Sequence, residues 1–286
     1  MGKIDPGPGS VVLVVGASSG IGRACAERLH RSGYRVYGTS RRASSPGAGV
    51  GQTSGGYAGG MEMIPMDVDD EDSVTIGVGY VIEKEGRLDA VVNSAGFALA
   101  GAVEDTTVEE AKSQFETNFF GALRLCRTVL PVMRKQGHGY IVIIGSAAGV
   151  VSLPFQGIYS SSKFALEGLA EALRIEAAPF GIRVVIAEPT DFRTGITASR
   201  RMAAAAAVGD SPYGDLFATA LAVTESGESH GPPPDRIARL IEKILEKPAP
   251  RLRYPVGPLS RITVLLKRLL PSKIYERIII KHFRLL

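Results

Sequence analysis

The stretch Val11-Val12-Leu13-Val14-Val15-Gly16-Ala17-Ser18-Ser19-Gly20-Ile21-Gly22 decides the architecture. An unbroken aliphatic run reads as a strand buried on both faces, since a strand with one wet face alternates apolar and polar side chains. The glycines after it turn the chain tightly into a helix, which Gly33 stops after Leu29. Outward from this unit the same alternation recurs. Arg35–Thr39, Met63–Met66, Ala90–Asn93, Tyr140–Ile144 and Val184–Ala187 read as further buried strands, and Arg251–Val256 as a candidate last one. Apolar strands separated by helical or loop connections predict an α/β fold whose parallel sheet is covered on both faces.

Helix ends are marked in several places. Thr107 with Glu110 forms a capping box, and Asp235, after Pro232–Pro234, is expected to cap a helix carrying Ile237, Leu240, Ile241 and Ile244 on one face. A helix over Ser73–Glu85 is weakened by Gly77 and Gly79, each costing about 1 kcal/mol relative to alanine. Residues 43–60 hold seven glycines and three serines and read as a mobile insert. Residues 195–234 read as a helical flap. No polar linker divides the chain, so residues 1–258 are expected to form one domain, with 259–286 as a helical tail.

Composition narrows the function. Of 286 residues, 45% are hydrophobic and 22% charged, which excludes a disordered chain. The only two cysteines, Cys25 and Cys126, exclude a disulfide scaffold and fit a reducing compartment. His30, His138, His230 and His282 show no metal-ligand spacing. The net charge of +4 is uneven. Residues 259–286 carry seven basic residues against the single acid Glu276, a net +6, which leaves −2 for residues 1–258. A nucleic-acid binder spreads basic residues over a domain face, so no nucleic-acid partner is expected. No signal peptide, myristoylation site or membrane-length apolar run is present, and the default expectation is a cytoplasmic protein.

The glycine turn suits a dinucleotide. Gly16, Gly20 and Gly22, with Ser18, Ser19 and Ile21 between them, let backbone approach a pyrophosphate at a helix N-terminus. Its spacing, G-x-x-x-G-x-G, differs from the G-x-G-x-x-G fingerprint, and alone it is weak. The second strand ends Thr39-Ser40-Arg41-Arg42 with no acid. An acid there would bond the ribose 2′-hydroxyl of NAD, whereas Arg41 pairs with the 2′-phosphate of NADP. NADP(H) is therefore expected, with Ser40 and Arg41 as its readers. Asp67 and Val68 are placed near the adenine, and Asn93-Ser94-Ala95-Gly96 along the cleft.

The catalytic candidates follow. Ser146 ends a strand, Tyr159 follows thirteen residues later, and Lys163 lies four beyond Tyr159. On a helix the last two share a face. The ammonium is expected to lower the phenol's pKa and make Tyr159 a proton donor near neutrality. Lys163 also bonds the nicotinamide ribose in this reading, and Ser146 holds a substrate carbonyl. Asn118, within the helical stretch Phe115–Phe120, is expected to anchor a water that returns protons to Lys163.

At this point the chain resembles the short-chain dehydrogenase/reductase family over about residues 10–195. The motifs run in the family's order: the glycine turn 16–22, Asp67, Asn93 to Gly96, Asn118, Ser146, Tyr159 and Lys163, then more loosely Pro189 and Thr194. The resemblance implies a Rossmann-type three-layer fold with a seven-stranded parallel sheet and an Asn–Ser–Tyr–Lys tetrad. It further implies that Thr194 bonds the nicotinamide carboxamide, and a homodimer or homotetramer built through the helices bearing Asn118 and Tyr159. Three positions depart from the pattern: Val15 stands for a Thr, Ser94 for a second Asn, and Thr190 for the Gly after Pro189. The last is expected to restrict backbone freedom, because Thr does not adopt glycine conformations cheaply.

Phe97–Val103, Val150–Phe155 and 195–225 are the expected substrate segments, with Phe97, Leu99, Val150, Val151, Leu153, Phe155, Ile196, Met202, Leu216 and Phe217 as apolar candidates. An apolar cleft prefers a lipophilic carbonyl or alcohol such as a steroid, retinoid or long-chain ketone. Pro271 splits the tail into two helical pieces. In the second, Lys273, Arg277, Lys281 and Arg284 lie on one face, with Tyr275, Ile278, Ile279, Phe283 and Leu286 mostly opposite. Such a helix fits either packing on the protein or an anionic membrane surface. The leading function is hydride exchange between NADPH and a carbonyl. Its rivals are a non-catalytic dinucleotide sensor or scaffold, and an epimerase or dehydratase.

Overall fold

A computed structural model describes residues 6–41, 43, 61–208, 211–258 and 260–286. Arg42 and, apart from Ala43, the glycine-rich insert expected at 43–60 lie outside the described residues. In chain order the elements are β1 (Val11–Val15), α1 (Gly20–Arg31), β2 (Arg35–Ser40), β3 (Glu62–Pro65), α2 (Glu71–Glu85), β4 (Ala90–Asn93), β5 (Leu99–Ala100), α3 (Val108–Phe115), α4 (Gly121–Gln136), β6 (Gly139–Ile144), α5 (Gly157–Ala177), β7 (Ile182–Pro189), α6 (Ile196–Ser199), β8 (Arg201–Met202), α7 (Ala204–Val208), α8 (Gly214–His230), α9 (Asp235–Leu245), β9 (Arg253–Val256), α10 (Ser260–Leu269) and α11 (Ser272–His282).

Seven strands form one sheet in the order β3-β2-β1-β4-β6-β7-β9, and every pairing is parallel. β5 and β8 pair separately, beyond the sheet. Alternate residues of β1 point into two different cores. Val11, Leu13 and Val15 pack with α2, α4 and α5, while Val12 and Val14 pack with α1 and α9. This is the three-layer Rossmann-type arrangement, and it explains the unbroken aliphatic run: both faces of the strand are dry. The order reverses between β1 and β4, and a ligand crevice forms at such a switch point, beyond the strands' C-terminal ends.

The weakly expected helix is complete as α2. Asp70 caps it by accepting from the N–H groups of Asp72 and Ser73, and Gly86 ends it in the left-handed region. Gly77 makes room for the Met66 side chain, whose terminal methyl would have to move aside for a Cβ there. One cap differs from expectation. Asp235 is the first residue of α9 rather than its cap, and Pro234 stands in the capping position. The Asp235 carboxylate instead pairs with Arg239 at 3.0 Å. The capping box at Thr107 and Glu110 is present. Between α3 and α4 the residues Glu116–Phe120 form a π-helical turn that carries Asn118 inward. No helix among the described residues is long and apolar enough to cross a membrane.

Candidate active site

Each strand that ends at the switch point delivers one part of the site. After β1, a Cβ on Gly16 would stand about 3.0 Å from the backbone of Ser94 and Ala95, and one on Gly22 would collide with the Gly16 carbonyl. Glycine at these positions lets the turn, α1 and the end of β4 close on one another. Ser19 precedes α1 without bonding its own side chain to the helix's N–H groups. The Thr39 hydroxyl, at the end of β2, is buried with no partner among the described residues. A ligand with oxygen acceptors fits this cradle of open N–H groups and hydroxyls.

A cavity of about 1150 Å³ runs from this cradle to the C-terminal helices α10 and α11. Gly16, Ser18, Ser19, Gly20 and Ile21 line one end, with Ser40, Arg41, Asp67 and Val68 beside them. Ala95, Gly96, Pro189 and Thr194 line its middle, together with Ser146, Tyr159 and Lys163. Gly22, Asn93 and Asn118 do not line it. Gly22 acts through close packing, and the Asn93 carboxamide accepts from the Ala95 N–H at 3.2 Å to shape the loop behind the wall.

Asn118 is a clamp. Its Oδ1 accepts from the Phe97 N–H at 3.1 Å, and its Nδ2 donates to the Phe97 carbonyl at 3.1 Å and to Ser162 Oγ at 3.0 Å. The amide that was expected to anchor a water therefore bonds protein on both sides, holding the Phe97 segment against α5. At the strand end Ser146 accepts from the Ala148 N–H at 3.0 Å, and its hydroxyl lines the same cleft as Tyr159, close enough to draw the phenol's pKa down. Tyr159 and Lys163 are both buried, and the Lys163 Nζ lies 5.8 Å from the centre of the Tyr159 ring. Nζ also donates to the Ile144 carbonyl at 3.1 Å, which ties α5 to the end of β6.

The electrostatics correct one expectation. Burial pushes the Tyr159 phenol above its ordinary value, the Ser146 hydroxyl draws it back, Glu228 adds to the rise and Arg200 opposes it. The neighbouring ammonium does not reverse that, because the pocket desolvates both groups. Burial lowers Lys163 itself to about 8, against a raising influence from Glu167. Tyr159 is thus held as a neutral phenol across the neutral range.

Sequence reasoning missed two groups. Arg200 and Glu228, on the flap, form a buried ion pair, and Thr197 Oγ1 donates to Glu228 at 2.5 Å. Their partners are remote in sequence, so no local spacing announces them. The second group is the roof. Leu266, Tyr275, Ile279 and Phe283 of the tail line the same cavity as Tyr159. Of the expected apolar substrate residues, Phe97, Val151, Leu153 and Ile196 line it, whereas Leu99, Val150, Phe155, Met202, Leu216 and Phe217 do not. Phe155 instead stacks on Tyr213 and Phe217 beneath the flap.

The profile of the family described as short chain dehydrogenase matches residues 10–205. A 3-ketodihydrosphingosine reductase of Bacteroides thetaiotaomicron is 39% identical over 252 residues, covering 88% of this chain and 89% of its own. The chain is a short-chain dehydrogenase/reductase. An uncharacterized oxidoreductase, YusZ, of Bacillus subtilis is 35% identical and covers 95% of this chain and 97% of its own. A solved short-chain dehydrogenase from Streptomyces avermitilis superposes with a TM-score of 0.75 at 33% identity, over 96% of this chain and 97% of that one. Both of these likenesses extend past residue 258 and so include part of the tail. Membership places this short-chain dehydrogenase/reductase among oxidoreductases of the CH–OH/C=O couple with a dinucleotide-binding fold.

The Thr190 departure is accommodated across the sheet. Thr190 is not in the positive-φ region, and its N–H donates to the Val256 carbonyl at 3.0 Å. Gly257, at φ +121°, takes the unusual backbone instead, and any Cβ on it would strike the Thr190 hydroxyl. The glycine freedom missing after Pro189 is thus found at the end of the neighbouring strand β9, at the point where the tail leaves the sheet.

Proposed function

We propose that this oxidoreductase is an NADP(H)-dependent reductase of a lipophilic carbonyl, with Ser146, Tyr159 and Lys163 as its catalytic residues and Asn118 as their positioning residue. One observation carries the reading: a buried Tyr159 beside a buried Lys163, with Ser146 on the same wall of a cleft that is apolar around its inner part. A bound nicotinamide supplies the hydride. Ser146 holds the carbonyl oxygen, and Tyr159, neutral because it is buried, gives that oxygen its proton. Lys163 keeps a positive charge below the phenol and stabilises the phenolate left behind.

The glycine turn and Ser18, Ser19 and Ile21 fit a pyrophosphate, Asp67 and Val68 an adenine, and Thr194 a carboxamide. Ser40 and Arg41 line the cavity at the end of β2 with no acid in that segment, which favours NADP(H) over NAD(H). A lipophilic substrate is supported by Phe97, Val151, Leu153, Leu266, Ile279 and Phe283 around the inner cleft. The name of the Bacteroides relative, a reductase of a long-chain sphingoid ketone, supports the same class. The Tyr275 hydroxyl is buried in the roof with no partner among the described residues, so it is a hydrogen-bonding group left for a ligand.

A cytoplasmic location is supported by the two buried, unpaired cysteines, Cys25 and Cys126. A homodimer or homotetramer is supported by Phe120 and Phe164, exposed beside the helices that bear Asn118 and Tyr159. A panel of steroids, retinals and long-chain ketones, followed by the absorbance of NADPH and of NADH, tests the function. Turnover of at least one apolar ketone with a preference for NADPH is expected. Turnover with none of them, or only with NADH, overturns the reading.

A further inference from the structure

We propose that α10 and α11 dock this enzyme on an anionic lipid bilayer, with the mouth of the catalytic cleft turned toward the membrane. The tail is more than a cover for the cleft. Ile262, Leu265 and Leu269 recur at helical spacing along α10 and are 53%, 54% and 70% exposed. On α11, Ile274 and Ile278 stand one turn apart, 47% and 41% exposed. Two of these residues, Ile262 and Ile278, also line the cavity. A side chain that faces both cavity and solvent stands at the rim of an opening, so the exposed apolar stripe surrounds the cleft's entrance.

The charge beside that stripe selects the occupant. Lys273, Arg277 and Lys281 follow at four-residue intervals on α11 and all are exposed, the first two directly preceding the exposed Ile274 and Ile278. Arg268 and Arg284 are exposed as well, and the tail as a whole carries a net +6. A second copy of the same surface would bring like charges together. A nucleic acid would leave the apolar stripe in water. An anionic bilayer satisfies both, taking apolar side chains at the acyl boundary and basic ones at the headgroups. The helices span Ser260–Leu269 and Ser272–His282, too short to cross a bilayer, so they lie along it.

Burial inside explains why the helices keep their place. Tyr275 and Phe283 are buried against the cleft, and the Lys267 ammonium sits 4.8 Å from the centre of the Tyr275 ring. The inner face thus roofs the cleft and the outer face remains for lipid. A substrate dissolved in the membrane reaches the cleft at Ile262 and Ile278 without crossing water. This delivery step rests on the lipophilic-substrate reading, whereas docking itself does not.

Sedimentation of the full chain with vesicles of phosphatidylcholine, or of an equal mixture of phosphatidylcholine and phosphatidylglycerol, tests the docking. Leu265→Glu/Leu269→Glu and Lys273→Glu/Arg277→Glu change only the outer face. Pelleting with the mixed vesicles alone is expected, at least tenfold reduced in either variant and in about 1 M salt, where the Debye length is about 3 Å. Both variants are expected to reduce a short water-soluble ketone as the parent does, and a vesicle-embedded long-chain ketone about tenfold more slowly. Equal pelleting with both vesicle types, or undiminished pelleting of the variants, overturns the proposal. So does a fall in oligomeric mass in Leu265→Glu/Leu269→Glu, which would assign the stripe to a second copy. Intact pelleting without turnover of any ketone would instead sink the reductase reading and leave docking standing.

Discussion

The floor of the cleft hangs from the ends of β1, β4, β6 and β7, whose residues are buried almost throughout, while its roof is two short helices whose outer residues are exposed. On the floor the polar groups are held by hydrogen bonds and burial: Asn118 by Phe97 and Ser162, Lys163 by the Ile144 carbonyl, and Tyr159 by burial beside Lys163. The roof rests mainly on apolar packing, and the hydrogen bond from Thr190 Oγ1 to the Pro258 carbonyl, just before α10, is long at 3.4 Å. Rigid polar placement suits chemistry that every substrate shares, and apolar packing suits selection among substrates. Floor substitutions should therefore act on all substrates or on the cofactor, and roof substitutions on some substrates only.

The largest contrast below the proton donor is expected at the cofactor end. Arg41→Asp should change the ratio of kcat/KM with NADPH to that with NADH by about 100-fold, whatever the ketone, since it replaces a phosphate partner with a repelling charge. An unchanged ratio would remove Arg41 from the cofactor site. A smaller effect is set by pH. Lys163 loses its ammonium as pH rises through about 8, while burial holds the Tyr159 proton above that range. The kcat/KM for reduction should thus fall about tenfold per unit on the alkaline side, with its bend near pH 8, for every ketone.

The roof gives the reverse signature. Phe283→Ala is expected to raise KM about fivefold for a long apolar ketone and to leave a small one within about twofold, measured by steady-state kinetics. Equal effects on both would merge roof and floor into one unit. The smallest effect concerns stability. Glu188 is buried in β7, where desolvation first, and Glu167 second, raise it to about 7 against Arg253 and Arg268. The folded chain then holds a proton that the unfolded chain releases near pH 4.5, so this stabilisation is present at low pH and lost as pH rises through about 7. Glu188→Gln should raise Tm by about 2 to 5 °C at pH 8 and by less at pH 5, followed by thermal melts.

The floor was legible because its causes are local. A doubly buried strand must be an aliphatic run, a glycine turn must precede α1, and Tyr159 and Lys163 share a helix face by spacing alone. The pairing of Arg200 with Glu228 and the exchange of backbone freedom between Thr190 and Gly257 join residues remote in sequence, so no window contains both. The tail was half legible. Its amphipathic pattern named Tyr275 and Phe283, which do turn inward, but also Ile278 and Leu286, which are exposed; an apolar face fits any apolar partner, and only the structure puts part of it over the cleft. The sign of the Tyr159 shift was misread for a related reason: spacing reveals a neighbouring charge, whereas desolvation depends on the whole pocket.

The most direct test of the central claim is the single-turnover rate of ketone reduction by Tyr159→Phe, measured alongside NADPH binding by fluorescence. Removing a buried proton donor should slow reduction by at least about 10³-fold while NADPH affinity stays within about threefold of the parent. A variant that binds NADPH normally and reduces the ketone at the parental rate would contradict the account, because the proton would then come from elsewhere.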